Sequence, residues 1–289
     1  MKRFFLVMIL FFSCMLVALA RGGVDSVLVR LDRVMGQQEI YMEQKEERID
    51  SLKQLLHHSS LTLRQQFILN KALGAEYELF VSDSAMKYFD NSLLIADSLR
   101  SVPLVDEVRL CQTSVLSISG MYKEAWEMLH GIDRATLPDS LLPAFYDCGR
   151  QLYSFLANYS HNSSYTANYI RLQNAYRDSL LTVLSPALPE YRLYEAERFI
   201  ANQQFTHAKN MLVGLLHDQP ETSNIYARAA FSLAHLYKDE KQTDAYEKYL
   251  ALSAISDIKA SVKENAALSN LAFVLYERGD VSRAYRYIK

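Results

Sequence analysis

Apolar positions along this chain recur every three to four residues, and alternation of period two is hardly visible anywhere. Near the C-terminus Leu268, Leu271, Ala272 and Leu275 form one stripe, Gly279 offers a left-handed turn residue, and Ala284, Tyr287 and Ile288 open a second stripe. The spacing predicts a helix, a tight reversal and a second helix. The same order returns upstream. "SGMYKEAWEML" at 119–129 carries Gly120, Tyr122, Ala125 and Leu129, and "NQQFTHAKNML" at 202–212 carries Phe205, Ala208 and Leu212. Fainter copies place Ala85, Ala167 and Ala245 after short polar turns. These six alanines, with 125, 208 and 284, lie 40, 42, 41, 37 and 39 residues apart. A repeat of that length is one helix pair, and the small residue marks the place where two helices cross closely.

The pattern L-x-x-L-A-x-x-L-x-x-x-G-x-x-x-x-A-x-x-x-I resembles the core of a tetratricopeptide repeat (TPR), whose usual period is about 34 residues. The expected fold is all-α: a TPR-like α-solenoid of about six antiparallel helix pairs over 59–289, with an N-terminal capping helix. The array reads as cut short in its last repeat. Its final helix, about two turns long, is expected to fray from Asp280 and to expose Leu271, Leu275 and Ile288, the natural protein continuing past Lys289.

The first twenty residues, "MKRFFLVMILFFSCMLVALA", place Lys2 and Arg3 before an unbroken apolar run that ends in Ala18-Leu19-Ala20. That is the layout of a secretory signal peptide cut before Arg21, and it predicts export to a periplasm. The apolar run from Phe4 to Ala20 is 17 residues, just short of a usual span, so an uncleaved anchor is the alternative. The segment 21–58 predicts one long amphipathic helix, with a break at Gly36. Leu28, Met35, Met42, Ile49 and Leu56 fall seven apart, while the companion row Leu31, Gln38, Lys45 and Leu52 is apolar only at its ends. The incomplete second row argues against an autonomous coiled coil. The helix is expected to pack on the first repeat and cap the array.

Composition fits helices stacked repeat by repeat: half of the residues are hydrophobic, with only nine Gly and six Pro. Removing residues 1–20 leaves 29 basic side chains (31 less Lys2 and Arg3) against 33 acidic ones, a balance of −4. With no basic block, this portion is expected to make no nucleic-acid contact. Cys111 and Cys148 remain in neighbouring repeats, and whether they pair is open. The chain has no glycine-rich phosphate loop, no H-E-x-x-H, no C-x-x-C pair and no G-x-S-x-G. His57 and His58 are adjacent and point about 100° apart on a helix, which does not suit a shared metal. Asp-Ser-Leu recurs at 50–52, 97–99, 139–141 and 178–180 and reads as a helix-end cap. No enzyme, metal site or cofactor is expected.

One resemblance is more specific. Leu28, Leu31, Asp32, Val34, Tyr41, Lys45, Glu46, Arg48, Ile49, Asp50, Ser51, Leu52 and Lys53, followed by "SDSAMKYFDNSLLIA", resemble the start of a family of TPR-containing transmembrane transcriptional regulators of Bacteroidetes, the SusR-like proteins. The resemblance implies a periplasmic TPR portion followed by a membrane helix and a cytoplasmic DNA-binding domain, the latter two absent here. It therefore implies a sensor or interaction portion of a membrane-anchored regulator, taking a protein or peptide partner or an oligosaccharide, with homodimerisation open. A stand-alone periplasmic scaffold for protein assembly is the alternative. Aligning the repeats on their alanines puts Tyr194 and Phe231 at one first-helix position and Tyr237 and Tyr276 at another, with Glu197 and Asn270 on the same expected face. These six are the candidate ligand- or partner-binding residues, because aromatic faces beside polar groups suit sugars and extended peptides.

Overall fold

The computed structural model describes residues 24–160, 164–263 and 265–288, so residues 1–20, expected to be a signal peptide, lie outside the described residues. Fourteen α-helices and one 3₁₀ turn account for the secondary structure, with no strand among the described residues. They are α1 (24–35), α2 (Gln38–Leu56), α3 (Leu63–Tyr77), α4 (Ser82–Ser98), α5 (Val102–Ile118), α6 (Tyr122–His130), α7 (Leu142–Tyr159), α8 (Thr166–Val183), α9 (Pro189–Ala201), α10 (Phe205–Asp218), α11 (Asn224–Asp239), α12 (Thr243–Lys259), α13 (Ala266–Glu277) and α14 (Val281–Ile288). None of them is long and apolar enough to cross a membrane. Neighbouring helices pack as a TPR-like series of hairpins. The chain divides into two compact units: unit 1 holds residues up to Met42 and from Phe205 onward, and unit 2 holds Glu43–Gln204.

Six helix ends turn by one device. The N–H of residues 101, 121, 204, 242, 262 and 280 returns to the carbonyl five positions earlier, at 96, 116, 199, 237, 257 and 275. The residue before each donor is left-handed, as a Schellman C-cap requires. Gly120 and Gly279 fill that place without strain. Arg100, Gln203, Lys241 and Ser261 fill it with φ of 52° to 59°, a conformation that costs a side-chain-bearing residue about 1–2 kcal/mol.

In unit 2 helices α3, α4 and α5 enclose one core that includes Phe67 and Phe89, and helices α5 to α9 a second that includes Ala125, Leu129, Leu152 and Leu180, with Met86 packed against both. Two glycines set close approaches: a Cβ on Gly74 would run into the Phe89 ring, and one on Gly149 into the Tyr176 ring. Ala85 and Ala125 have no exposed surface, as the repeat frame requires. Ala167 is exposed. The ring filling the glycine notch of its hairpin, Tyr176, lies nine residues beyond Ala167, whereas Phe89 lies four beyond Ala85. The spacing of the third hairpin is therefore longer, and its crossing is not at the alanine.

In unit 1 the hairpins α11–α12 and α13–α14 surround Leu250, Ala254, Leu271, Ala272 and Leu275, all fully buried. Ala208 and Ala284 sit four residues into their helices and are buried. In α12 that fourth place is Tyr246, not Ala245, and Tyr246 is the buried residue of the two.

The N-terminal segment breaks at 36–37 as expected; α2 meets the first repeat, where Lys45 pairs with Glu76 of α3 at 3.0 Å, but α1 does not. Val24, Leu28, Leu31 and Val34 enter the core of unit 1 against α11–α14. The Tyr287 hydroxyl donates to Asp32 Oδ1 at 2.9 Å, and the Arg283 guanidinium donates to Oδ2 at 3.1 Å. The expected exposed face is corrected with it. Leu271 and Leu275 are fully buried in that core, and α14 is helical through Ile288, which alone of the three is exposed. The Asp-Ser-Leu reading also changes. Ser51, Ser98 and Ser179 bond back to carbonyls four residues earlier at 2.8, 2.8 and 3.0 Å, inside their helices, and cap nothing. Only Asp139–Leu141 begins an element, the 3₁₀ turn before α7.

Candidate functional site

Unit 2 carries three polar groups in succession across its first helices. They begin with an ion pair between Lys71 on α3 and Glu107 on α5. One helical stretch further on, Ser114 on α5 meets Glu78 at the end of α3 at 2.5 Å and Gln151 on α7 at 3.1 Å. Burial raises the Glu78 carboxyl above its usual range, against the lowering effect of the Ser114 bond. On α7, Arg150 Nε donates to Asp147 Oδ1 at 2.7 Å, and its guanidinium lies 4.9 Å from the centre of the Tyr194 ring. Tyr194 on α9 donates from its hydroxyl to the same Asp147 oxygen at 2.8 Å, and Glu197 Oε2 stands 3.8 Å from Arg150. Burial works against the Arg150 charge, but Glu197 and Asp147 outweigh it, and the guanidinium pKa is raised. The second buried guanidinium, Arg177, donates to Asn174, Asp178 and the Glu197 carbonyl.

Tyr194 and Glu197 are thus brought together. Three residues apart on one helix, they project about 60° from each other and lock onto the same pair on α7. Tyr194 itself is only 4% exposed. The other four candidates lie in unit 1. Phe231 is half-buried, packs against the unit 1 core and meets His235 edge-on at 4.6 Å. Tyr237 stacks parallel on Tyr249 at 5.3 Å, with Lys209 4.4 Å from its ring centre. Asn270 is half-buried and Tyr276 is 62% exposed. Each of these pairs is six residues apart, about 120° around its helix, so neither shares one face.

The sequence pattern does not mark an aromatic patch that the fold assembles on α6, α7 and α8. Trp126 is 45% exposed and stacks on His130 at 4.2 Å. It also hydrogen-bonds the Tyr153 hydroxyl, whose pKa burial raises in spite of that bond. Tyr153 meets Tyr169 at 6.2 Å, and Tyr169 meets the exposed Tyr165 at 6.3 Å. Trp126 stands three residues before the repeat leucine Leu129, inside the repeat motif, yet carries no signal of its own, since an exposed ring looks like a core ring in sequence.

The two thiols sit under the polar groups of unit 2. Cys148 is buried and donates to the Leu110 carbonyl at 3.3 Å, and both thiols are free. Burial pushes the Cys111 thiol up to about 12 and Cys148 well above the usual thiol range, which makes poor nucleophiles of both. No group of three or more His, Cys, Asp or Glu that could hold a metal occurs among the described residues.

Hairpins stacked with a small residue at the crossing and polar groups along the first helices define a TPR-type helical-repeat protein. Residues 35–289 match the family described as the SusR N-terminal TPR domain, and the chain belongs to that family. No curated protein matches the chain.

Proposed function

We propose that this chain is the periplasmic sensor or interaction portion of a membrane-anchored transcriptional regulator, and that it works by binding a protein partner or a glycan-derived ligand. The observation that carries this reading is the family match over 35–289. Two further features support it. The basic, apolar and Ala-x-Ala order of residues 1–20 is that of an exported chain. TPR domains generally mediate protein interactions, and this one offers exposed aromatic rings at Trp126, Tyr165 and Tyr276. The role is binding and not catalysis: the buried charges of unit 2 pair with one another, and both thiols are held protonated.

The test is genetic. The gene is deleted in its own bacterium, and transcripts are measured during growth on single glycans. Loss of induction of a glycan-use gene set, restored by the wild-type gene and not by one encoding Trp126→Ala with Tyr165→Ala, is the expected result. Unchanged transcription on every glycan would leave the periplasmic scaffold as the better account.

A further inference from the structure

Helix α1 lies on unit 1 as an amphipathic ligand lies in its receptor. Leu28 and Leu31 are fully buried against α11–α14, Asp32 sits in the clasp of Tyr287 and Arg283, and Arg30 pairs with Glu221 at 2.6 Å. Nothing local fixes the bend that puts it there. The Gly36 N–H still reaches the Asp32 carbonyl at 3.1 Å, and the Gln37 and Ile40 N–H groups make tightened bonds to Val34 and Gln37 at 3.0 Å. No residue of the bend has positive φ, and no proline occurs there. A Cβ on Gly36 would meet only ordinary contacts, at 3.5 and 3.6 Å. The row Leu28, Met35, Met42 and Ile49 keeps its seven-residue register straight through the break. The bend is therefore held by docking, and residues 24–56 suit a single straight helix equally well.

We propose that the α11–α14 face accepts the α1 of a second copy, and that two chains exchange this helix by straightening at Gly36–Gln37. The occupant in trans is the occupant seen in cis, so every interaction that one chain gives up is remade in the other. A second copy fits because the groove is already shaped and charged for this helix, with two arginines and a tyrosine hydroxyl facing its one central aspartate.

Light and heavy isotope-labelled chains, both carrying photo-methionine, are mixed at high concentration, incubated and irradiated. Met35 packs against the unit 1 core, so it cross-links to that face whichever chain supplies α1. The expected result is links between light Met35 peptides and heavy α11–α14 peptides, together with a sedimenting dimer. Gly36→Ala fits the bent form and favours the straight helix, so it should lower the concentration of half-dimerisation about fivefold or more. Same-isotope links alone, in wild type and Gly36→Ala alike, would overturn the proposal, whether the protein is a monomer or a dimer built on another surface.

Discussion

Helix α1 buries four large apolar side chains in residues 24–35, whereas the 19 residues of α2 bury only Ile49. Both carry the same seven-residue row. The difference lies in the companion row: α1 has Leu31 beside Leu28, while α2 has Gln38 and Lys45 where a second apolar line would run. A single line of contacts is too narrow to shed much water, and two adjacent lines make a face. What α2 lacks in apolar packing it partly replaces with charge, through Lys45 and Glu76 at 3.0 Å and Lys53 at 6.0 Å from the Tyr77 ring centre. A periodic row tells which side of a helix turns inward, and the neighbouring row tells how firmly it is held.

The sharpest break of this comparison is to empty one position on each helix. Leu31→Ala should cost about 2–5 kcal/mol in denaturant unfolding, and Leu55→Ala, at a position 51% exposed, no more than about 0.5 kcal/mol. Equal costs would mean that α1 is not docked in solution. A smaller effect is expected at the clasp. Asp32→Ala leaves the Tyr287 hydroxyl without its acceptor and removes a carboxylate from Arg283, which keeps Asp280, and from Arg286, and should cost about 1–3 kcal/mol.

A third test uses pH and touches only the platform under α1. Burial raises the Asp257 carboxyl to about 7 and also raises that of Glu247, which is fully buried beside Arg278. A carboxyl raised on folding stabilises the native state while it is protonated in both states, and that contribution is lost as pH rises through the folded value. Taken from pH about 4 to pH about 7, the Asp257 contribution should therefore fade, and Asp257→Asn should flatten that part of a melting-temperature profile. Amide protection in α1 should follow the same profile, and protection around Ile49 should not. The smallest effect belongs to α2. Lys53→Ala removes an exposed i, i+3 pair with Asp50 and should change stability by about 0.5 kcal/mol or less.

The hairpin order was legible wherever the crossing residue is small and the turn uses glycine. Ala125 with Gly120 and Ala284 with Gly279 gave the frame, and the structure keeps it. It faded where other residues do the same work. Arg100, Gln203, Lys241 and Ser261 take the left-handed place with no sequence mark, and Tyr246 stands at a crossing where the eye finds Ala245. The docking of α1 was illegible for a different reason. A stripe specifies the face it offers and not the partner that covers it, and α1 meets a hairpin about 250 residues away, as the Asp32–Tyr287 bond shows. Of the candidate site, Tyr194 and Glu197 came together because three residues on a helix share a face whatever the repeat frame. Phe231 with Tyr237 and Asn270 with Tyr276 did not, because six residues on a helix stand about 120° apart, and an alignment of alanines between repeats says nothing of that angle.

Trp126 is the only tryptophan in the chain, and it lies in unit 2, with tyrosines but no indole in unit 1. Light absorbed by the indole alone therefore gives an optical signal from one unit, while circular dichroism sums the helices of both. Its ring stacks on His130 with centroids 4.2 Å apart, so the emission reports on a contact inside α6. Two melting curves recorded on one sample, by indole emission and by dichroism, will overlay if the units unfold as one cooperative body and separate if they do not. The chain carries its own reporter of how its two halves share their stability.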